Sequence, residues 1–144
     1  MPKFLFSIVV IAVIFITACS TAEVTPQFAS AKDIPRISAQ DAKAQYDLGA
    51  VMVDARVKET FTLDHIKNAI NIPYSSNSEE IKNLTADLDK GKKYIFYCSC
   101  SAEQTSSAAA YKLNHAGFAN VSVLAGGTSA WSNAGYPMEY VNKQ

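Results

Sequence analysis

The sequence has little cysteine and histidine and no excess of charge of either sign. Its 144 residues include three cysteines and two histidines, and Lys+Arg and Asp+Glu both total 13. Nucleic-acid binding requires clustered lysine and arginine side chains to neutralise phosphates, and no such cluster occurs, so we predict no nucleic-acid partner. Two of the cysteines are close in sequence but have no further ligands nearby, which argues against a metal site.

Long hydrophobic runs are also absent, apart from one at the N-terminus. Residues 1–19, "MPKFLFSIVVIAVIFITAC", carry one charge, at Lys3, followed by an apolar segment of signal-peptide length. The end of this run, "ITACS", resembles the bacterial lipoprotein signal, in which the cysteine is lipidated before cleavage. We therefore expect a lipoprotein-type signal peptide with lipidated Cys19. The alternative is an uncleaved anchor helix, because the run is near the lower limit of about 17–25 residues for a membrane span.

Both alternatives tether the protein to a membrane, and they predict a bacterial cell-envelope location facing the periplasm or the cell exterior. Residues 20–33, "STAEVTPQFASAKD", are small and polar without apolar periodicity, and this composition predicts a flexible tether. The folded domain is expected to span residues 34–141. Without Lys3, the mature part has a net charge of about −1.

Strand and helix patterns alternate along this domain. Ser38 is the predicted N-cap of a helix that Gly49 ends. The other predicted elements are strands at 50–54, 69–73, 93–98 and 120–125, helices at 79–88, 106–117 and 128–135, a polar crossover at 59–66 and a closing edge strand at 136–141. Such alternation predicts a single-domain α/β fold, an open parallel sheet with helices on both faces.

Cys98 lies at the end of a predicted strand, where the functional crevice of an open parallel sheet is found. The following helix would direct its N-terminus at the thiol and favour the nucleophilic thiolate. Small residues in the loop allow backbone N–H groups to approach an anion closely; they are Ser99, Ser101, Ala102, Thr105 and Ser106. Thr105 or Ser106 is the predicted N-cap of that helix.

Four stretches together resemble a rhodanese-like domain, in the order and at about the spacing of that family. They are "MVDAR" at 52–56, "DHIKNAINIP" at 64–73, "YC" at 97–98 and "GFANVSVLAGGTSAWSNAGYP" at 117–137. The resemblance implies the rhodanese fold, with Cys98 as the catalytic residue of a sulfurtransferase. Cys98 would take sulfane sulfur from a donor such as thiosulfate or a persulfide, and pass it on from a Cys98 persulfide.

The resemblance also implies the partners and the binding residues. The partners would be a small sulfur-containing donor and a thiol or other nucleophilic acceptor, with a protein thiol as one possibility, and no metal or organic cofactor is needed. The residues expected to bind the substrate form the loop after the nucleophile: Ser99, Cys100, Ser101, Ala102, Glu103, Gln104 and Thr105.

The loop departs from the family pattern, because "CSCSAEQTSS" contains neither the usual glycine nor the usual arginine. Glu103 lies near the arginine's place. A carboxylate pointing inward would repel an anionic donor and raise the pKa of the thiol, whereas one pointing outward would be solvated near a helix N-terminus. We expect the outward orientation. Asp64, Lys67 and Asn68 also replace the family's usual glycine, proline and glycine.

Cys100 leaves three interpretations open. It could form an easily reduced disulfide with Cys98, attack a Cys98 persulfide and release sulfide, or be one more small loop residue. Two other functions therefore stand beside sulfur transfer: a thiol–disulfide redox protein that uses both cysteines, and a catalytically inactive binding module.

The remaining candidate residues are predicted to be structural. His65 is expected to make hydrogen bonds, and His115 to lie in the last turn of a helix, where positive charge is favourable. Asp54 and Arg56 are expected to form an ion pair that braces the loop region, and Trp131 to lie in the core.

Overall fold

The computed structural model describes residues 28–140, which form seven strands and five helices besides a short 3₁₀ turn. The strands are β1 (Arg36–Ile37), β2 (Val51–Asp54), β3 (Asp64–Ile66), β4 (Ile70–Asn71), β5 (Tyr94–Tyr97), β6 (Val121–Leu124) and β7 (Met138–Tyr140). The helices are α1 (Ala39–Asp47), α2 (Lys58–Phe61), α3 (Ser78–Leu84), α4 (Gln104–His115) and α5 (Gly127–Asn133). Residues 1–27, with the predicted signal, Cys19 and most of the tether, and residues 141–144 lie outside the described part.

The main sheet is parallel throughout and has the strand order β1-β6-β5-β2-β4. β5 lies at its centre, with Tyr97 opposite Asp54 of β2 and Phe96 opposite Val123 of β6. All four residues of β5 are buried. A strand that is covered on both faces has no solvent-exposed face that would carry polar residues. The sequence of β5 is therefore one continuous apolar run. The predicted α/β fold class is confirmed.

The side chains of β5 alternate between two hydrophobic clusters, as the two-residue period of a strand requires. Tyr94 and Phe96 belong to the cluster beneath α3 and α4, whereas Ile95 and Tyr97 belong to the cluster beneath α1 and α5. Trp131 of α5 is fully buried in the second cluster, as predicted. Helices therefore cover both faces of the sheet.

Helix ends follow the local capping chemistry of the sequence. The Ser38 side chain accepts a hydrogen bond from the Asp41 N–H at 3.0 Å, and Gly49 follows α1 with a φ of 95°, so both predicted ends are confirmed. α3 is shorter than predicted. It ends at Leu84 because Thr85 becomes its C-cap, and the Thr85 hydroxyl donates to the Ile81 carbonyl at 2.7 Å.

Three short elements differ from the sequence prediction. β1 was not predicted, since two residues carry no periodicity. Residues 64–66, predicted within a polar crossover, form β3, and the predicted closing edge strand pairs antiparallel with β3 as β7 instead of joining the main sheet. This two-stranded ribbon places His65 opposite Glu139.

The packed part of the chain begins before residue 34. Phe28 packs against the first cluster, Ser30 caps the 3₁₀ turn Ala31–Asp33, and the Tyr111 hydroxyl lies 3.4 Å from the Ala29 carbonyl. The end of the predicted tether thus lies against the domain. Among residues 28–140, no helix has both the length and the apolar character needed to cross a membrane.

Candidate active site

Cys98 directly follows β5 and lies at the carboxyl edge of the sheet. It is buried, with 2% of its surface exposed. Its carbonyl accepts a hydrogen bond of 3.0 Å from the N–H of Thr128 in α5. Cys98 is therefore held between its own strand and the turn that leads into α5.

Gly127 permits this close approach. It has a φ of 53°, and a Cβ atom on this residue would lie 2.0 Å from the Cys98 carbonyl oxygen. No side chain fits there without moving the backbone of Cys98. The Gly126-Gly127 pair, recognised in sequence as a turn, thus also leaves room for the residue that carries the candidate nucleophile.

We expect Gly127→Ala to destabilise the domain by more than the roughly 1–3 kcal/mol of a strained backbone conformation, because its Cβ would also collide with the Cys98 carbonyl, and to impair any chemistry of Cys98. Urea unfolding followed by tryptophan fluorescence measures the first effect. Gly49→Ala is the matched control, because Gly49 also has a positive φ but a Cβ there would meet nothing within 4 Å. Equal losses in the two variants would show that the contact with Cys98 has no role.

The sulfur of Cys98 forms a disulfide with the sulfur of Cys100. Of the three interpretations of Cys100 offered by the sequence, this is the disulfide with Cys98. The Cys100 N–H lies 3.4 Å from Cys98 Sγ and the Ser106 hydroxyl 3.6 Å from it. Ser106 is buried in the first turn of α4. The sequence had marked Ser106 as a small residue of the loop and a possible N-cap, not as part of the binding set, but its side chain contacts the sulfur.

The predicted binding residues form the rim of this site. Ser99, Ser101 and Ala102 are exposed and Gln104 is exposed at the start of α4, whereas Cys100, Glu103 and Thr105 are half-buried. Glu103 is the N-cap of α4, with a φ of 47°, so the predicted cap at Thr105 or Ser106 is wrong. The helix begins earlier because Ser107 already donates its N–H to the Glu103 carbonyl at 2.9 Å.

Glu103 is not the solvated outward residue that we expected. Only 13% of its side chain is exposed. One carboxylate oxygen accepts a hydrogen bond of 2.8 Å from the Gly126 N–H, and the other lies 3.4 Å from Nε of Arg36. The carboxylate therefore ties the loop to the glycine turn and to β1.

Arg36 is the charged residue of this region that sequence reasoning missed. It lies in β1, 67 residues before Glu103, and its guanidinium is also 3.2 Å from the Ser107 hydroxyl. The Arg36 side chain is 39% exposed, so it lies at the surface beside the start of α4. The loop lacks its own arginine but has one next to it from another strand.

Asp54 and Arg56 form the predicted ion pair, which is buried at the end of β2. Arg56 lies 2.7 Å from the Asp54 carboxylate and 2.9 Å from Asp64. Burial alone would lower the pKa of the Arg56 guanidinium, but its hydrogen bonds and charge attraction to Asp54 and Asp64 raise that pKa above its ordinary value. Asn71 donates to the carbonyls of Asp54 and Arg56, both at 2.9 Å. Because Asp54 pairs with Tyr97, this network supports the strand end that precedes Cys98.

Both histidines have structural partners. The ring nitrogens of His65 lie 2.9 Å from the Phe61 carbonyl and 2.8 Å from the Glu139 carboxylate. His115 ends α4 and packs against Tyr111. Within residues 28–140, no three histidine, cysteine, aspartate or glutamate side chains are grouped in a way that would hold a metal ion.

The family model of the rhodanese-like domain matches residues 38–134. The chain belongs to the rhodanese-like family. This rhodanese-like chain is 36% identical over 109 residues to the thiosulfate sulfurtransferase GlpE of Pseudomonas savastanoi pv. phaseolicola, covering 76% of the chain and 96% of that protein. It is 31% identical over 93 residues to thiosulfate sulfurtransferase 16, chloroplastic, of Arabidopsis thaliana, covering 59% and 76%.

A solved structure, the BH2092 protein of Bacillus halodurans, resembles this rhodanese-like chain with a TM-score of 0.64 and 29% identity, covering 76% of the chain and 79% of that structure. The range that the family model matches, residues 38–134, includes the strand, loop and helix around Cys98. Homologues named as thiosulfate sulfurtransferases therefore place the chain in a sulfurtransferase family.

Proposed function

We propose that this protein is a membrane-tethered sulfurtransferase that passes sulfane sulfur through a persulfide on Cys98. The observation that carries the proposal is the position of Cys98, at the carboxyl end of β5 next to the first turn of α4, in a family that contains thiosulfate sulfurtransferases. The first turn of a helix favours negative charge, and both the thiolate and the persulfide are anions.

The chemistry needs a reduced Cys98, so the disulfide must first be opened by a thiol. The Cys98 thiolate then attacks the outer sulfur of thiosulfate, the sulfur–sulfur bond of the donor breaks, and sulfite leaves with the bonding electron pair. A nucleophilic acceptor next takes the outer sulfur of the Cys98 persulfide, and the thiolate returns. Two groups would stabilise negative charge on the Cys98 sulfur during both steps. They are the Ser106 hydroxyl, 3.6 Å from Cys98 Sγ, and the Cys100 N–H, 3.4 Å from Cys98 Sγ.

The test uses the full-length chain with Cys100→Ser, because this substitution prevents the disulfide that would occupy the nucleophile. The reduced protein is incubated with thiosulfate, with inorganic polysulfide or with glutathione persulfide, and the mass of the peptide that contains Cys98 is measured by mass spectrometry. We expect a gain of one sulfur atom, which cyanide removes as thiocyanate. An unmodified Cys98 with all three donors would overturn the proposal and favour the binding module.

Membrane attachment through lipidated Cys19 is the second part of the proposal. It is supported by the apolar run with one lysine and the "ITACS" sequence at its end. Cells that express the full chain are labelled with radioactive palmitate, and the protein is then recovered from the membrane fraction. We expect label in the wild-type chain and none in Cys19→Ser. Membrane binding without label in either chain would favour the uncleaved anchor helix.

A thiol–disulfide redox protein is the second candidate function, and the Cys98–Cys100 disulfide favours it. In that case both cysteines would be essential for exchange with a dithiol substrate, and the Cys100→Ser variant would form no thiocyanate from any sulfur donor. Sulfur transfer predicts the opposite result for Cys100→Ser. The same variant therefore separates the two functions.

The carboxylate of Glu103 is expected to weaken the use of anionic donors. The Glu103 carboxylate neutralises Arg36 beside the loop, and Gln in its place keeps a side-chain oxygen for the Gly126 N–H while it leaves the guanidinium without a carboxylate partner. We expect Glu103→Gln to lower the KM for thiosulfate about 3- to 10-fold at low salt, an effect that added salt screens. Arg36→Gln is the control and should not improve thiosulfate use. An unchanged KM in Glu103→Gln would show that the pair does not act on the donor.

A further inference from the structure

We infer that Cys100 is a resolving cysteine, which converts the Cys98 persulfide into free sulfide and gives the protein a sulfane-sulfur reductase activity. The inference rests on the proposed function, because it begins from the Cys98 persulfide. The juxtaposition that carries it is the Cys98–Cys100 disulfide at the start of α4.

The loop conformation allows the two sulfurs to bond. The Cα atoms of Cys98 and Cys100 are 5.6 Å apart, inside the usual range for a disulfide. The Cys98 carbonyl is meanwhile held by the Thr128 N–H, and the Glu103 N–H lies 3.3 Å from the Cys100 carbonyl in a turn. Both ends of the segment therefore keep their hydrogen bonds while the sulfurs are joined, and Cys100 needs no rearrangement of the fold to reach Cys98.

The resolving step is balanced without an outside oxidant. Cys98 carries an inner sulfur, its own Sγ, and an outer sulfur received from the donor. The Cys100 thiol loses its proton and attacks the inner sulfur, the bond between the inner and outer sulfurs breaks, and the outer sulfur leaves with the electron pair and the proton as HS⁻. The products are one hydrosulfide ion and the Cys98–Cys100 disulfide. The sulfane sulfur is reduced and the two thiols are oxidised.

Exposure indicates how the cycle is reset. Cys98 is 2% exposed, whereas Cys100 is only half-buried. A reducing thiol therefore reaches Cys100 Sγ first, forms a mixed disulfide there and expels Cys98 as the thiolate, because thiol–disulfide exchange depends on access to the attacked sulfur. A second thiol of the same reductant releases Cys100. The reductant class is a dithiol, which supplies both electrons, and the freed Cys98 is ready for the next donor.

The test compares full-length wild-type chain with Cys100→Ser and Cys100→Ala, all reduced and then freed of reductant. Each is mixed with one equivalent of glutathione persulfide, and sulfide and the mass of the Cys98 peptide are followed in time. We expect the wild-type chain to release one equivalent of sulfide and to lose two hydrogens across Cys98 and Cys100. The two variants should keep the added sulfur on Cys98 at least about 100-fold longer, because the wild-type reaction is intramolecular.

The outcomes separate this inference from the proposed function. If the variants form the persulfide but the wild-type chain keeps it equally long, resolution by Cys100 is overturned while sulfur transfer stands. If no variant forms the persulfide, both are overturned. Once Cys98 carries the added sulfur, the first-order rate constant for its loss from the wild-type chain should be independent of protein concentration, and a rate constant that rises with concentration would assign the sulfide to attack between molecules. Reduction of the spent protein with dithiothreitol, removal of the dithiothreitol and addition of a second equivalent of glutathione persulfide should give one further equivalent of sulfide.

Discussion

In the Cys100→Ser background, where no disulfide forms, Cys98→Ser is expected to lower the rate of thiocyanate formation from thiosulfate and cyanide by at least about 1000-fold, with the fold intact. A serine hydroxyl is not ionised at neutral pH and forms no persulfide. The variant therefore loses the covalent intermediate itself, and not only part of its affinity for the sulfur donor. The substitution is nearly isosteric at a site that is 2% exposed. We therefore expect the midpoint of urea unfolding to stay close to that of the reduced wild-type protein.

The control for this prediction is Ser106→Ala, which keeps the nucleophile and removes the hydroxyl 3.6 Å from its sulfur. Loss of one hydrogen bond to a charged group costs about 1.5–3 kcal/mol, which corresponds to a decrease of roughly 10- to 150-fold. Cys98→Ser should therefore be clearly worse than Ser106→Ala. If Cys98→Ser kept the rate of Ser106→Ala, the sulfur would pass through another group and Cys98 would not be the nucleophile.

The position of the site could be predicted from sequence because its framework is local. The apolar run 94–97, the cysteine after it and the alanine-rich helix that follows are consecutive, and each has its own periodic or capping signal. The same holds for α1, which Ser38 caps, and for the turn at Gly126. Elements of this kind need no knowledge of the rest of the chain.

The electrostatics of the site could not be predicted in the same way. Arg36 meets Glu103 only because β1 pairs with β6 at the edge of the sheet, and β1 has two residues and no pattern of its own. The orientation of Glu103 also depends on the Gly126 N–H, which a different strand brings to the loop. Sequence reasoning offered a carboxylate that points into the site or out to solvent. In the structure it does neither, and instead binds the Gly126 N–H and Arg36. Contacts over long sequence separations decide such details.

The ribbon of β3 and β7 was missed for a related reason. Asp64 and His65 are polar, and their strand is three residues long. Its stability comes from pairing with Met138–Tyr140, and from Ile66, which is fully buried and donates its N–H to the Tyr97 hydroxyl at 3.1 Å. That hydroxyl contact joins the ribbon to the last residue before Cys98. Burial raises the pKa of Tyr97, so its hydroxyl stays neutral.

Asp54→Ala is expected to destabilise the domain by about 3–5 kcal/mol, because it leaves the buried Arg56 guanidinium without its main partner. Asp54 is fully buried, and Arg56 donates to it through Nε, Nη2 and its backbone N–H. Asp64 is the other partner of Arg56. Its side chain accepts a hydrogen bond only from Arg56 Nη1 and is 42% exposed. Urea unfolding of the reduced proteins measures the difference, and an unchanged m-value would show that the change lies in stability.

Asp64→Ala is the matched control, and it should cost less than about 1 kcal/mol, since an exposed partner contributes little. A loss as large as that of Asp54→Ala would show that burial does not decide the strength of the pair. The network also connects stability to function, because Asp54 lies opposite Tyr97 in the parallel register and Tyr97 precedes the nucleophile. The folded fraction of Asp54→Ala should therefore transfer sulfur more slowly than that of Asp64→Ala. The buried charge pair at the end of β2 then positions the end of β5, which Cys98 directly follows.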